Sequence, residues 1–422
     1  MPFPKTPLSL LLPSTAAFVS LSLGSPCADK STDPALVLFD YPELETIRGE
    51  IRSGAKAVQP AWRRLLATTE PLLQTEPLSV LDKKSTAASG DKHDYFSIGN
   101  YTWPNPATPD GMPYIRRDGF RNPEAQEATY DKKNFNLTVL RVNLLALAWF
   151  HSRDERYAAK AAGLLRVWFI NPATRMNPNL NYAVSQPGVH DGHYIGIIET
   201  ASLTELVDHV RLLALSKSWT AADNENLKHW FFNYTTWLLE SDFGKKEEAA
   251  KNNHSTWHAA QVAVYSLYTG HPDRVRRALA VARENIGKQI AGDGSLPLEM
   301  GRNRSFLYSI YGLRAFAVVA DCAALAGDDL WNYRSPEGRG LRMAFDFLAP
   351  WLAGEKAWAG EDVAPDGERT AMRTHALVML RQSWRAWRIP AMGEATRRLA
   401  ASLPQEDRRV ALLGLNPLPA QE

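Results

Sequence analysis

Apolar side chains recur along most of this chain at the spacing of an α-helix. The positions i, i+3, i+7 and i+10 are occupied by Leu137, Leu140, Leu144 and Leu147. The pattern returns over 203–213, and the same period predicts helices over 157–169, 224–239, 256–268, 274–290, 305–325, 340–352 and 369–387. Alternation of apolar and polar residues, which is typical of strands, is sparse. The pattern therefore indicates a mostly α protein.

Short breaks separate these helices, at "TG" (269–270), "AGDG" (291–294) and "AGDD" (326–329). Helices of about 15 residues joined by short turns indicate antiparallel hairpins. A further helical region is expected over 35–73, broken near Pro60. A helical solenoid and a closed α/α toroid both fit, and no fixed-period sequence repeat favours an open array.

Two long segments interrupt the helical pattern. They are "DYFSIGNYTWPNPATPDGMPYIRRDGFRNPEA" (94–125) and "NPATRMNPNLNYAVSQPGVHDGHYIG" (171–196). Long ordered loops on a rigid scaffold usually carry function. The aromatics Tyr95, Phe96, Tyr101, Trp103 and Tyr114 suit stacking on sugar rings, and Arg116 and Arg117 suit carboxylates. The alternative is that these aromatics cover helix ends as a minor core.

Composition and charge limit the classes of function. The 422 residues are 45% hydrophobic and 22% charged, which is ordinary for a globular protein with a large core. The formal net charge is only +2, from 48 basic and 46 acidic residues, and no long basic run occurs. This balance argues against a general nucleic-acid binder but permits a local basic cleft for an anionic substrate.

The N-terminus has the features of a secretory signal. Lys5 precedes the apolar stretch "LSLLLPSTAAFVSLSLGSP", so we expect a signal peptide over approximately 1–28 and a mature domain over 29–422. The protein is then extracellular or periplasmic. No later stretch suggests a membrane span. Cys27 lies near the expected cleavage point, which leaves Cys322 alone and predicts no disulfide.

The stretch "KNNHSTWH" (251–258) comes directly before an apolar helical run. Asn252 or Asn253 suits an N-cap, and free N–H groups at a helix start favour an anion. A substrate carboxylate there could meet Asn253 and His254. Two alternatives remain open: simple capping with a solvated histidine, and a metal site built on His254 and His258, which are spaced i, i+4. No third ligand is evident for a metal.

A second polar stretch, "LPLEMGRNRSFLYSIYGLRAF" (296–316), begins another helix. Ser305 suits its N-cap, and Phe306 begins an apolar face that continues to Ala317. Tyr308 and Tyr311 lie on the opposite face, which is typical of an inner helix that borders a cleft. Taken alone, this stretch is equally well explained by core tyrosines with arginine partners.

Together the two stretches supply Asn, His, Arg and Tyr without an obvious pair of carboxylates. This set suits β-elimination from a uronic acid, because such side chains stabilise the charge that develops when the C5 proton leaves. A tyrosine can act as base where positive charge favours its phenolate, and it can then protonate the leaving O4 oxygen.

The chain resembles the alginate lyase domain family of secreted polysaccharide lyases. The resemblance runs from about Tyr95 to beyond Phe316, on "YFSIGNYTWPNPATPDGMPYIRRDGFRNPE", "NPNLNYA…GIIET", "NNHSTW" and "LPLEMGRNRSFLYSIYGLRAF" in this order. It is closest to the family thirty-eight alginate and glucuronan lyases and related to the family five alginate lyases. The resemblance implies an all-α fold with one α/α toroid, an incomplete barrel of antiparallel helix hairpins with long active-site loops.

In such enzymes the Asn and His of the NNH motif engage the carboxylate region, an Arg assists, and a Tyr is base and acid. Carried over, these roles fall on Asn253 and His254. An Arg-to-Tyr spacing of six, as in family thirty-eight, selects Arg302 and Tyr308. The spacing of seven in family five selects the alternates Arg304 and Tyr311. We predict Tyr308 with Arg302.

The resemblance also implies an anionic uronate polysaccharide as substrate, with no metal or cofactor, and we expect a monomer. The predicted substrate-binding residues are Tyr95, Tyr101, Trp103, Arg116, Arg117, Asn181, Gln186, His193 and Trp257. The chain departs from similar sequences at "GHY" (192–194), where "GRG" is usual. His193 therefore replaces an arginine that contacts substrate, which leaves the exact uronate open.

Two other classes of function were considered. A glycoside hydrolase on a similar toroid needs two carboxylates about 5–10 Å apart across the cleft. Asp191, Glu199 and Glu299 are candidates, but they are scattered and carry no motif. The other class is a carbohydrate-binding relative that has lost catalysis.

Overall fold

The helices that the apolar periodicity predicts are present in the structure, a computed structural model that describes residues 33–403. The described α-helices, predicted or not, are α1 (Tyr41–Ser53), α2 (Gln59–Thr69), α3 (Asp131–Ser152), α4 (Glu155–Leu165), α5 (Leu203–Leu213), α6 (Ala221–Glu240), α7 (Asp242–Glu248), α8 (Asn253–Thr269), α9 (Pro272–Gln289), α10 (Pro297–Met300), α11 (Ser305–Leu325), α12 (Leu341–Leu352), α13 (Asp366–Trp387) and α14 (Pro390–Ser402). The predicted signal peptide and Cys27 lie outside the described residues. Cys322 is a buried free thiol.

Helix α8 lies at the centre of the arrangement. It packs against α5, α6, α9 and α11, while α11 packs against α13 and α3 packs against α4 and α5. Helix α1 packs on α3 and is joined to α13 by an ion pair between Glu43 and Arg381 (3.2 Å). Neighbouring helices therefore follow one another around an incomplete ring, and the predicted α/α toroid is confirmed.

Two boundaries differ from the expectation. The break in the first helical region lies at Gly54, whose positive φ of 77° ends α1, and not near Pro60. Pro60 instead occupies the first turn of α2, where a missing N–H costs nothing. Ser305 does not cap α11 but is its first residue, and its N–H donates to the Glu361 carbonyl.

Helix α11 is apolar on nearly all sides. Phe306, Ile310, Leu313 and Ala317 are buried as expected, and Ala315 and Val319 on the opposite face are buried as well. Among the described helices, α11 is long and apolar enough to cross a membrane, but 78% of its apolar window is buried inside the protein. It is a core helix of the toroid, with its N-terminal end near the cavity described below.

The two long segments fold onto each other by short strands. Strand β1 (Phe96–Ile98) pairs in parallel with β4 (Tyr182–Ser185), and β2 (Thr102–Trp103) pairs antiparallel with β3 (Ile115–Arg116). Gln186 strengthens the contact, because its side-chain amide donates to the Tyr114 carbonyl (2.7 Å). Both segments therefore form one ordered cap at the same end of the toroid.

Asp208 of α5 anchors the chain that leads into α1. Its buried carboxylate accepts three backbone N–H bonds, from Val37 (2.8 Å), Leu38 (2.7 Å) and Phe39 (3.3 Å). Asp208→Ala leaves these donors without an acceptor, so we expect the free energy of unfolding to fall by about 3 kcal/mol. Thermal denaturation measures this. The control Asp366→Ala, at a side chain that is 98% exposed, should leave stability unchanged.

Candidate active site

A cavity of about 230 Å³ opens between the cap and the starts of α8 and α11. The long segments contribute Tyr101, Arg116, Gln186, His190 and His193 to its wall, and Glu199 follows directly after the second segment. Helix α3 adds Lys132, α8 adds His254, and α11 with the turn before it adds Tyr308 and Arg302. The two polar stretches that the sequence singled out therefore meet the cap in one place.

Tyr308 points into this cavity from the first turns of α11. Its hydroxyl is 2.9 Å from the hydroxyl of Tyr101, and the guanidinium of Arg302 lies 4.0 Å from the centre of its ring. Burial raises the pKa of Tyr308, and Tyr101 adds to the effect, while the Arg302 cation partly opposes it. The phenol is therefore neutral at rest and can donate a proton.

Asp118 holds Arg302 in this position. Its carboxylate accepts hydrogen bonds from Arg302 (3.0 Å) and from Arg116 (2.8 Å). Burial alone would raise the pKa of Asp118, but the two guanidiniums lower it overall. The same loop is tied to α11 by Asn303, whose side-chain amide donates to the Asp118 carbonyl (2.8 Å). Gly119 packs against that amide with a positive φ of 78°, which leaves no space for a Cβ atom.

His254 reaches the cavity from the first turn of α8. Its Nδ1 lies 2.6 Å from Oε1 of Glu247, a fully buried residue of α7, and its side chain is 18% exposed. A carboxylate only accepts hydrogen bonds, so Nδ1 carries the proton and Nε2 has a free lone pair in the neutral ring. This arrangement suits a general base, and once Nε2 is protonated the ring suits a substrate carboxylate.

Asn253 has a different environment from the one expected. It is fully buried, and its backbone N–H and side-chain amide both donate to Oε1 of Glu299 (2.7 and 2.8 Å). The anion site predicted at the start of α8 is therefore filled by the protein's own Glu299. Asn252 is the N-cap, but its side chain makes no capping bond. Contact of Asn253 with substrate stays a prediction that this geometry does not favour.

The second histidine of the stretch "KNNHSTWH" packs inside the protein. His258 is buried, and its Nε2 bonds to the Leu238 carbonyl (2.9 Å). Within residues 33–403, no three His, Cys, Asp or Glu side chains are grouped to hold a metal ion. Nε2 of His258 is engaged in this packing, so the geometry does not favour His254 and His258 as a pair of metal ligands.

Comparison with known proteins identifies the family of this chain. The sequence model of the alginate lyase family matches residues 79–358. An alginate lyase from Bacteroides ovatus is 32% identical, with a TM-score of 0.82 over 90% of this chain and 99% of that chain. The chain belongs to the alginate lyase family. It is a polysaccharide lyase. A search of curated protein sequences finds no significant match.

More distant alginate lyases share the fold. Alginate lyase A1-III from Sphingomonas species A1 is 15% identical, with a TM-score of 0.52 over 83% of this chain and 95% of that chain. A tyrosine-to-phenylalanine variant of A1-III complexed with a tetrasaccharide gives 15% identity and a TM-score of 0.56, over 92% of this chain and 97% of that chain. At this identity the likeness concerns the α/α toroid alone.

The substrate-binding residues predicted for this lyase fall into three groups. Tyr101, Arg116, Gln186 and His193 line the cavity. Trp103, Arg117 and Asn181 lie outside it: Arg117 covers the Trp103 ring at 5.0 Å, and Asn181 accepts a bond from Trp237 (3.0 Å). Tyr95 and Trp257 are buried, so for them the prediction of sugar contact is wrong.

The alternative catalytic residues, Tyr311 and Arg304, pack against other parts of the protein. The ring of Tyr311 packs against Trp257, with ring centres 4.9 Å apart, and does not line the cavity. Arg304 is buried and bonded to Gly119 (2.6 Å) and Glu368. The spacing that selects Arg302 and Tyr308 is therefore the one whose side chains reach the cavity.

The sequence reasoning missed Lys132. Its ammonium group lies 2.5 Å from Oε1 of Glu199 and 2.9 Å from Oδ1 of Asn100. Glu199 also accepts bonds from Tyr95 (2.8 Å) and Ser97 (2.7 Å). Lysine near the start of a helix is common on protein surfaces, so no local signal in "YDKKNF" distinguishes this residue from a solvated one.

Asp118 is a positioning residue that a substitution can test. Asp118→Asn weakens its bonds to both guanidiniums and removes a negative charge beside the cavity. We expect kcat to fall about tenfold because Arg302 loses its orientation, while KM for a polyanion stays the same or decreases. Steady-state kinetics measure both. Asp110→Asn, in the same loop, is the control, and a parallel rise in KM would contradict the positioning role.

Proposed function

We propose that this lyase cleaves β-1,4-linked uronate polymers, polymannuronate (alginate) or glucuronan, by β-elimination. The observation that carries the proposal is one cavity that contains both Tyr308, with Arg302 against its ring, and His254, oriented by Glu247. The cationic side chains around them, Arg116 and Lys132 among them, suit a substrate with one carboxylate per sugar.

The elimination breaks the C5–H and C4–O4 bonds and forms a C4–C5 double bond. In mannuronate and glucuronate, H5 and O4 lie on the same face of the ring, so one group can remove H5 and protonate O4. Tyr308 takes both roles in this proposal, as base and acid, and His254 and Arg302 stabilise the carboxylate and the charge that develops on it. The phenol must first lose its proton, and the Arg302 cation favours that step.

Guluronate reverses the geometry, because its H5 and O4 lie on opposite faces. His254 is then the base through Nε2, and Tyr308 donates its proton to O4. The raised pKa of Tyr308 suits this acid role directly. Activity on polyguluronate relative to polymannuronate therefore reports which pair of groups the cavity presents to the sugar.

The hydrolase alternative lacks its second carboxylate. Of the three candidates, only Glu199 lines the cavity, and it is bonded to Lys132, Tyr95 and Ser97. Glu299 is buried on Asn253, and Asp191 does not line the cavity. The described residues therefore provide no pair of carboxylates that face each other across the cleft.

A substrate screen tests the proposal. Purified protein is incubated with polymannuronate, polyguluronate and glucuronan, and the ultraviolet absorbance of the new double bond is followed. Absorbance that grows on polymannuronate or glucuronan supports the proposal. Binding without any growth of absorbance, on all polymers and across pH, would favour the non-catalytic relative. Secretion and a monomeric state remain predictions, which cell fractionation and light scattering test.

A further inference from the structure

The permanent cations of the cavity are already paired with carboxylates of the protein. Arg116 and Arg302 share Asp118, at 2.8 and 3.0 Å. Lys132 contacts Glu199 at 2.5 Å. An internal partner reduces the attraction that each cation exerts on a bound anion. The positive charge available to a polyuronate therefore depends on other groups in the wall.

His190 and His193 are the groups that can supply it. They lie in the turn after β4, with ring centres 5.2 Å apart, and both line the cavity. Nδ1 of His193 accepts the backbone N–H of Ile195 (3.3 Å), so the ring proton lies on Nε2. Nδ1 of His190 is buried and has no hydrogen-bond partner among the described residues. Neither ring forms an ion pair with a carboxylate within residues 33–403.

We propose that His190 and His193 form a carboxylate-binding subsite that takes up protons when a uronate chain binds. The inference rests on the proposed function, since it assumes a polyuronate ligand. It adds that the strength of binding is set by the protonation of this pair and not by the fixed charges alone. In the empty cavity burial and the neighbouring positive charges lower the pKa of His193, and a substrate carboxylate opposes that effect.

The groups around the pair explain why the pKa of His193 should rise when a carboxylate binds. Arg116 of β3, Lys246 of α7 and His254 of α8 all act on His193, and with burial and His190 they lower its pKa. Lys132 and Glu199 line the same cavity as a neutral ion pair. A carboxylate placed between the two rings introduces the missing negative charge. It therefore raises the pKa of His193 above its value in the empty cavity.

The sign of the pH dependence follows from this difference. Binding is strongest below the pKa of His193 in the free protein and weakens as the pH rises through the pKa of His193 in the complex. Each proton taken up permits at most about a tenfold change in Kd per pH unit. We expect Kd to rise about tenfold or more from about pH 5.5 to about pH 7.5, the range in which histidine titrates.

Calorimetry with a mannuronate tetrasaccharide tests the subsite on the Tyr308→Phe variant, in which we expect turnover to be too slow to disturb the binding measurement. Titration in buffers of different ionisation enthalpy gives the number of protons taken up. In this background His193→Gln should bind weakly at every pH with little proton uptake. His193→Arg, which fixes the charge, should bind tightly with a nearly constant Kd. The control His229→Gln, an exposed site on α6, should keep the parent pH dependence.

The outcomes separate this inference from the proposed function. A Kd that does not change with pH, or a pH dependence that survives in both His193 variants, would overturn the subsite. Proton-coupled binding by a protein whose wild type eliminates no uronate polymer would retain the subsite and refute the proposed function. Melting temperatures of the variants show whether each is folded, and the opposite effects of Gln and Arg cannot both arise from unfolding.

Discussion

Replacing Tyr308 with phenylalanine is expected to lower kcat on polymannuronate by about a hundredfold to ten-thousandfold, the usual contribution of a general acid or base. The change removes one oxygen atom from a side chain that lies in the cavity between Tyr101 and Arg302. Packing and substrate affinity should change little, because the ring and its contact with the guanidinium remain. Growth of ultraviolet absorbance under saturating substrate measures kcat.

Tyr311→Phe is the matched control for this experiment. Tyr311 lies one turn further along α11, and its ring packs on Trp257 away from the cavity. The variant should keep kcat within about twofold, the effect expected of a substitution outside the chemistry. Activity retained by Tyr308→Phe and lost by Tyr311→Phe would assign the base and acid to Tyr311 and contradict the account.

Replacing His254 with glutamine is the second substitution with a large expected effect. Glutamine keeps an amide that can contact a carboxylate, but it can neither accept a proton from C5 nor carry a positive charge. We expect kcat/KM to fall about a hundredfold or more on every uronate polymer that the enzyme cleaves. The loss should be greater on polyguluronate, where His254 is the proposed base, than on polymannuronate.

His258→Gln is the control, because His258 lies one turn away on α8 and is buried against the Leu238 carbonyl. It should lower the melting temperature while the folded enzyme keeps its kcat. Equal losses of kcat in both variants would show that His254 acts only through the stability of α8. A smaller loss on polyguluronate than on polymannuronate would contradict the assignment of the base.

Most of the helical architecture was predictable because apolar periodicity and Gly breaks are local signals. The predicted 305–325 coincides with α11, and 340–352 differs from α12 by one residue. The break between α1 and α2 was misplaced, since Pro60 resembles a helix breaker until its place in the first turn is known. Helices α7, α10 and α14 were not predicted. Order in the long segments comes from pairing between β1 and β4, which are far apart in sequence.

The residues of the site also divide into those that a sequence pattern predicts and those that it does not. Arg302, Tyr308 and His254 were predicted from their motifs, and all three line the cavity. Asp118 bonds to Arg302 across 184 residues of sequence, whereas Glu247 bonds to His254 across the turn between α7 and α8, and no local pattern records either contact. The polar N-terminus of α8 correctly indicated an anion, but the anion is the Glu299 carboxylate of the protein itself.

Cleavage of polymannuronate in oxygen-labelled water is the most direct test of the central claim. Elimination forms the C4–C5 double bond without adding water, so products reduced at once with borohydride, before the anomeric oxygen exchanges with solvent, should contain no solvent oxygen at the new ends, as read by mass spectrometry. Their non-reducing ends should also be one water lighter than those of hydrolysis products. Incorporation of one labelled oxygen at each cleavage, without ultraviolet absorbance, would show hydrolysis and contradict the account.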